Sequence, residues 1–300
     1  MERVAFIIPT LNEAASIGQV LDRIPVDRLH EDGYGTTVYV IDGRSTDRTR
    51  EIAAQKGASL ILETRKGKGR ALRTAFQSID ADYIIISDGD GTYPLEAVSD
   101  ILRLLKTHDV VMGSRRKGTI EPGAMTKLNA LGNNLLTVLA NVLFRAGVSD
   151  MCTGLWGFRS TALNELELEA EGFDIEADMY IESVRKGLRL AELPIHYSAR
   201  NDVAKLASLR DGFKIGVFVC KRWWAIRVSS AWRPSHGNGA EEPFGREATV
   251  TGPRAGTTSR AREYNTSDVY QLSDPKDQPV ADRSTEPAVV HRAENDENGD

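Results

Sequence analysis

Tyr83-Ile84-Ile85-Ile86-Ser87-Asp88-Gly89-Asp90-Gly91 decides how this chain is read. Four consecutive apolar residues make a strand with no polar face, and two carboxylates follow at once. A strand apolar on both sides belongs in a mainly parallel sheet covered by helices above and below. Four other short runs have the same character: VAFII at 4–8, VYVI at 38–41, LIL at 60–62 and VVM at 110–112. Amphipathic runs lie between them, at 14–24, 47–55, 69–79 and 95–106. In the first of these, Ile17, Val20, Leu21 and Ile24 recur at helical spacing. Strand and helix alternating in this way predict an α/β fold, a mainly parallel sheet flanked by helices.

The second half has a different rhythm. Residues 125–144 read as a long helix, 155–158 and 190–195 as strands, and 177–185 as a helix between them. An apolar and basic stretch follows at 208–232 and ends the folded part. From residue 234 to 300 there are 13 acidic and 7 basic residues, and Phe244, Tyr264 and Tyr270 are the only aromatics. Such a segment buries too little apolar surface to offset its ordering entropy, so a disordered acidic tail is expected at 234–300.

Composition excludes several classes. The chain has 300 residues and a net charge of −5, with 41% hydrophobic and 27% charged residues, which is ordinary for a globular protein. Two cysteines, Cys152 and Cys220, make neither a disulfide framework nor a cysteine zinc site, and they fit a reducing compartment. No run approaches the roughly 20 apolar residues of a spanning helix, and MERVAFIIPTLNE reads poorly as a signal peptide. Residues 1–233 are close to neutral, so no basic face is available for nucleic acid.

Ligands of parallel sheets bind beyond the carboxyl ends of the strands. The polar clusters fall there: 9–13, 42–47, 65–69, 88–90 and 113–116. Asp88 and Asp90 are two residues apart, so on extended backbone they face one side and suit a hard divalent cation, directly or through water. Asp42 ends a strand, where a carboxylate can accept hydrogen bonds from a ribose or a base edge. Asp47 reads equally as a helix-start residue. RKGKGR at 65–70 puts cations and backbone donors at a helix start, a pattern that suits phosphate. Neither a P-loop nor a G-x-G-x-x-G is present.

PTLNE at 9–13, VIDGRSTDRT at 40–49, RKGKGRAL at 65–72, SDGDG at 87–91, GSR at 113–115, TGLWGFR at 153–159 and FDIEADM at 173–179 together resemble the family-2 glycosyltransferases of GT-A fold. The resemblance covers about residues 3–210 and is strongest to dolichyl-phosphate mannose or glucose synthases, particularly archaeal dolichyl-phosphate hexosyltransferases of N-glycosylation. It implies a GT-A domain over 1–210, a membrane-surface segment over 211–233 and the tail beyond. It implies donor-binding roles for Pro9, Asn12, Glu13, Asp42 and Lys68. Asp88 and Asp90 stand at the metal and donor-diphosphate site, for Mg2+ or Mn2+. Arg115 matches an arginine near the acceptor phosphate. Arg200 and Lys205 match the family's R-x-G-x-S-K-L, although Asp202 and Ala204 replace its Gly and Ser. Gly43 replaces the usual second acidic residue beside Asp42.

The implied reaction moves a hexosyl group from a nucleotide diphosphate sugar to dolichyl (polyprenyl) phosphate, with inversion, early in protein N-glycosylation. An anionic acceptor phosphate needs no strong base. Glu176 or Asp178 is left to orient the acceptor or act as a base, or to be a solvated helix-start acid. The helix at 128–144 and the stretch at 213–232 can lie on a bilayer, the latter placing Trp223, Trp224 and Trp232 beside Lys221, Arg222, Arg227 and Arg233. A peripheral protein on the cytoplasmic face of the membrane is therefore expected. Two other readings stand beside it: a family-2 transferase with a hydroxyl acceptor, and a non-catalytic sugar-nucleotide-binding or membrane adaptor. The Q-x-x-R-W of processive synthases is broken, since Val219 occupies the glutamine place before Arg222-Trp223.

Overall fold

The computed structural model describes residues 1–200 and 208–228. Lys205, Trp232, Arg233 and the segment 234–300 lie outside the described residues. Seven strands are present among them: β1 Glu2–Thr10, β2 Tyr34–Asp42, β3 Ser59–Leu62, β4 Tyr83–Ile86, β5 Val110–Ile120, β6 Trp156–Arg159 and β7 Leu190–Tyr197. They form one sheet in the order β3-β2-β1-β4-β6-β5-β7. The pairs β1–β2, β1–β4, β2–β3 and β5–β7 are parallel, and β6 runs antiparallel between β4 and β5.

The apolar strands are covered on both faces, as their sequences predict. Along β1 the side chains alternate between two cores: Ala5 and Ile7 join one, Val4, Phe6 and Ile8 the other. The second core is roofed by α1 Ile17–Asp22, α2 Val26–Glu31, α3 Thr49–Gln55 and α5 Val98–Leu105. The first is roofed by α4 Lys68–Ser78, α6 Lys127–Phe144, α8 Ile175–Arg185 and α9 Ser208–Val228, with the short α7 Ser160–Leu163 at its margin.

Several boundaries differ from the sequence reading. The run at 14–24 is helical only over Ile17–Asp22; Pro25 stops it, and α2 follows as a separate turn and a half. The run at 95–106 opens as a 3-10 turn, Leu95–Ala97, behind Pro94. Residues 113–116 are not a polar strand end: they continue β5, where Ser114 and Arg115 are buried. The reversed β6 places Trp156 beside Ile86, so the chain just before it, Thr153-Gly154-Leu155, arrives at the carboxyl end of β4.

α9 is held to the body by a stripe at helical spacing, Ile215, Val219, Arg222 and Ile226, all buried. Arg222 therefore faces protein and not a lipid headgroup. Its guanidinium lies 2.6 Å from Glu182, 2.9 Å from Glu169 and 3.1 Å from Asp178, and it donates to the Glu167 carbonyl at 3.1 Å. The Asp178 approach is an ion pair without hydrogen-bond alignment, since neither atom has a hydrogen-bond partner. Removing the cation would leave buried Asp178 with backbone amides alone, at 2.6 and 2.8 Å, and buried Glu182 with Arg185 as its remaining cation. Arg222→Met is expected to lower unfolding free energy by about 3–5 kcal/mol, read as a drop in the urea midpoint of the full chain. An unchanged midpoint would show that α9 is not anchored this way.

Candidate active site

The parallel register brings three strand ends to one edge. Thr10 pairs with Asp42 across β1 and β2, and Ile7 with Ile86 across β1 and β4. The loops after these strands wall one end of a cleft of about 1960 Å³, and α6 and α9 wall the other. Asp88 and Asp90 both line it, together with Lys68, Arg115, Glu176 and Arg200. Pro9, Asn12 and Glu13 line it as well.

Every carboxylate at this edge is already matched to a cation or to hydrogen-bond donors. Asp88 pairs with the Lys68 ammonium, which also lies 2.5 Å from Glu176. Lys68 and Glu176 are nearly enclosed, with side chains 12% and 10% exposed. Burial pulls the Lys68 pKa down; the two carboxylates outweigh it and raise it. Burial pushes Glu176 up, with Lys68 opposing and Asp88 adding to the rise. Asp90 pairs with Arg200 and accepts from the Thr92 amide at 3.1 Å and the Thr92 hydroxyl at 2.7 Å.

Glycines let this cluster close. A Cβ on Gly154 would sit 2.3 Å from Asp88 Oδ2, and one on Gly67, at φ 134°, 2.0 Å from the Glu171 carbonyl. The start of α4 is pressed against 170–172, and two of its amides bond there: Gly69 donates to the Gly172 carbonyl and Arg70 to Glu171. The Arg65 amide is likewise used, on Glu63, so three backbone donors of 65–70 are held within the protein. The Lys68 side chain reaches the cleft from this loop. Glu63 shapes the same loop, accepting from the Arg65 amide at 2.8 Å, the Arg65 guanidinium at 2.8–2.9 Å and Thr74 Oγ1 at 2.5 Å.

At the β1–β2 end, Asn12 adopts φ 54° and is locked by two bonds: its amide donates to Ser45 Oγ, and its side-chain oxygen accepts from the Thr46 amide, each at 2.8 Å. The Glu13 amide donates to Thr49 Oγ1 at 2.8 Å. Asp47 accepts from the Ala14 and Thr49 amides, so it ties two loops together rather than facing a ligand. Asp42 is 1% exposed; its Oδ1 accepts from the Ser45 amide at 2.9 Å, and its Oδ2 has no hydrogen-bond partner. Gly43 and Arg44, next to it, line the cleft.

The structure specifies the surroundings of Arg115, Asp178 and Glu176. Arg115 reaches the cleft wall, but its guanidinium is doubly bound to Asp150 at 2.6 and 2.7 Å and lies over the Tyr197 ring. Its charge is thus already paired with a buried carboxylate. Asp178 is fully buried and accepts from the Glu169 and Ala170 amides at 2.6 and 2.8 Å, which makes it a structural anchor. Glu176 faces the cleft, and neither acid lies in a solvated turn. Tyr93 and Gly154 were not singled out: the Gly154 amide donates to the Tyr93 hydroxyl at 2.6 Å, fixing the glycine against Asp88. TGLWGFR at 153–159 carried that signal only as a motif.

Among the described residues no group of three His, Cys, Asp or Glu side chains is arranged to hold a metal ion by itself. A dedicated all-protein metal cage is therefore not what this edge provides. Two hard carboxylate donors in one cleft do suit a cation that takes its remaining ligands from water and a diphosphate. Asp88 and Asp90 would hold such a cation.

The family profile described as "Glycosyl transferase family 2" matches residues 5–167. The chain belongs to this family. It is 36% identical over 221 residues to the dolichyl-phosphate hexose transferase of Haloferax volcanii, a match covering 73% of this chain and 92% of that one. It is 36% identical over 214 residues to the low-salt glycan biosynthesis hexosyltransferase Agl6 of the same organism, covering 70% of this chain and 51% of Agl6. The chain thus spans about half the length of that relative. Glucosyl-3-phosphoglycerate synthase of Mycobacterium tuberculosis, solved with Mn2+, UDP-glucose and phosphoglyceric acid, superposes with a TM-score of 0.58 at 21% identity, covering 75% of this chain and 79% of that one. The sheet is accordingly that of the GT-A fold.

The loop carrying Lys68 depends on Glu63. Burial pushes Glu63 up, but the Arg65 and Thr74 hydrogen bonds outweigh it and hold the carboxyl at about 2. A folded-state pKa below the ordinary 4.5 adds stability that is complete above pH 4.5 and lost as pH falls toward 2. Glu63→Gln is expected to cost stability at pH 7, with the difference from wild type shrinking between pH 4.5 and pH 2 in chemical denaturation. A difference independent of pH would contradict this.

Proposed function

We propose that the chain transfers a hexose from a nucleotide diphosphate sugar to dolichyl (polyprenyl) phosphate, as an early step of protein N-glycosylation. One observation carries the reading. A single cleft joins a pole of paired acids and cations to an apolar wall built from α6 and α9. An acceptor with a phosphate head and a long hydrocarbon tail has those two halves. The similarity to the Haloferax dolichyl-phosphate hexose transferase supports the same acceptor class.

In this reading a phosphate oxygen of the acceptor attacks the anomeric carbon. The bond from that carbon to the donor's β-phosphate oxygen breaks, and the nucleoside diphosphate leaves with the electron pair. The anomeric carbon inverts. Pro9, Asn12, Glu13 and Asp42 hold the nucleoside, and Lys68, Arg200 and Lys205 meet the negative charge that builds on the diphosphate. A divalent cation, Mg2+ or Mn2+, held by Asp88 and Asp90, supplies further neutralisation of that charge when bound. Arg115 orients the acceptor phosphate. A hydroxyl acceptor would need a free base, and the described acids offer poor candidates: Glu176 holds Lys68 and Asp178 holds backbone amides.

Residues 1–210 perform the chemistry in this reading, and 211–233 seat it on the cytoplasmic face of a membrane. No described helix is long and apolar enough to cross one. The apolar faces of α6 and α9 that line the cleft are also open to solvent, with Leu131 66%, Phe213 75% and Trp224 65% exposed. Lys214, Lys221 and Arg227 are exposed along the same α9, and Arg227 lies over the Trp223 ring. Tryptophan with basic neighbours suits the headgroup layer.

The test is incubation of the full chain with a panel of UDP- and GDP-hexoses and dolichyl phosphate, with the lipid product identified by mass. One donor is expected to give dolichyl-phosphate hexose, and Asp90→Asn is expected to lower turnover by about 10²–10³-fold without loss of the folded state. Transfer to water or to a sugar hydroxyl, with none to the lipid, would overturn the acceptor. In vesicle flotation, Phe213→Glu with Trp224→Glu is expected to release the chain from anionic liposomes. Unchanged flotation would remove α9 from the membrane contact.

A further inference from the structure

Asp88 and Asp90 do not wait as bare anions for a metal. Lys68 and Arg200 already hold them, one each, from opposite sides of the chain's topology. Lys68 comes from the start of α4 and Arg200 from beyond β7. An ammonium has three donors, and Lys68 uses one on Asp88 and one on Glu176. Glu176 is enclosed at the start of α8 and lines the same cleft, so it can keep Lys68 in place when Asp88 is drawn elsewhere. Arg200 is 28% exposed and pairs with only one of the Asp90 oxygens, the other being held by Thr92. A divalent cation arriving alone must therefore approach two fixed positive groups and compete with both. A diphosphate arriving with it changes the balance, because its oxygens can take over Lys68 and Arg200.

We propose that Lys68 and Arg200 are built-in counter-cations of the Asp88–Asp90 pair, exchanged from the carboxylates to the donor's diphosphate as the cation binds, so that cation and nucleotide enter together and neither binds well alone. Glu176 is then the pivot that keeps Lys68 at the site throughout. This is a positioning role for all three residues, and it rests on the reading of the cleft as a nucleotide-sugar site. The coupling is reciprocal: whatever factor the nucleotide adds to the cation's affinity, the cation adds to the nucleotide's.

The experiment measures Mn2+ affinity of the full chain by electron paramagnetic resonance, alone and with saturating UDP or GDP. Wild type is expected to bind Mn2+ weakly alone and at least about tenfold more tightly with one of the nucleotides. Lys68→Met and Arg200→Met are each expected to tighten Mn2+ alone by about tenfold and to weaken the nucleotide. Lys68→Arg, which keeps the charge, is expected to stay weak for Mn2+ alone. Thermal unfolding establishes which variants fold; Arg200→Met, at the partly open position, decides the matter if Lys68→Met does not. Charge-removing variants that bind Mn2+ alone no better than wild type would overturn the proposal, while loss of Mn2+–nucleotide binding in Asp90→Asn would leave the nucleotide-sugar reading standing. A wild type that binds neither nucleotide with Mn2+ would overturn both.

Discussion

Enclosed charge at the end of a central strand is the constraint that organises this molecule. Asp88 and the nearly enclosed Glu176 share one ammonium at the cleft, and two carboxylates brought together there are costly unless a cation sits between them. Lys68 is that cation, and the surrounding chain is shaped to deliver it. Gly67 and Gly69 let the start of α4 press against the backbone at 170–172. The same segment is gripped from below by Asp178, and Asp178 is in turn paired with Arg222 of α9. A continuous chain of contacts therefore runs from the apolar helix at the surface to the Asp88 carboxylate in the cleft.

That connection gives the two halves of the cleft a common support. α6 and α9 pack closely enough that a Cβ on Gly216 would lie 3.5 Å from Leu136, so the apolar wall is one unit. Its inward stripe belongs to the core that also contains Ile7 of β1 and Ile84 and Ile86 of β4. The wall that suits a lipid and the strand that carries Asp88 are thus parts of one packed body. An acceptor phosphate and a donor diphosphate brought to this cleft would meet at groups whose positions are set by the same core.

Much of this was legible in the residues. Apolar runs without a polar face marked the strands, and the acids and cations after them marked the edge that lines the cleft. Strand direction was less legible. A run as short as Trp156–Arg159 encodes burial but not orientation, and its reversal is what carries Gly154 to Asp88. Glu176 and Asp178 show the same limit at a smaller scale. Positions two apart on a helix point to nearly opposite sides, so only one could face the cleft, and the sequence did not say which. Arg115 and Arg222 read as free cations because their partners lie far off in sequence, Asp150 at 35 residues and Glu182 at 40.

The most direct measurement is a crystal structure of the full chain grown with Mn2+ and the nucleoside diphosphate it binds, with the metal located by anomalous scattering. The account expects the metal peak between the Asp88 and Asp90 carboxylates and the diphosphate, Lys68 moved off Asp88 but still on Glu176, and Arg200 against a phosphate oxygen. A nucleotide bound away from the ends of β1, β2 and β4, or a metal peak with both original ion pairs intact, would contradict it.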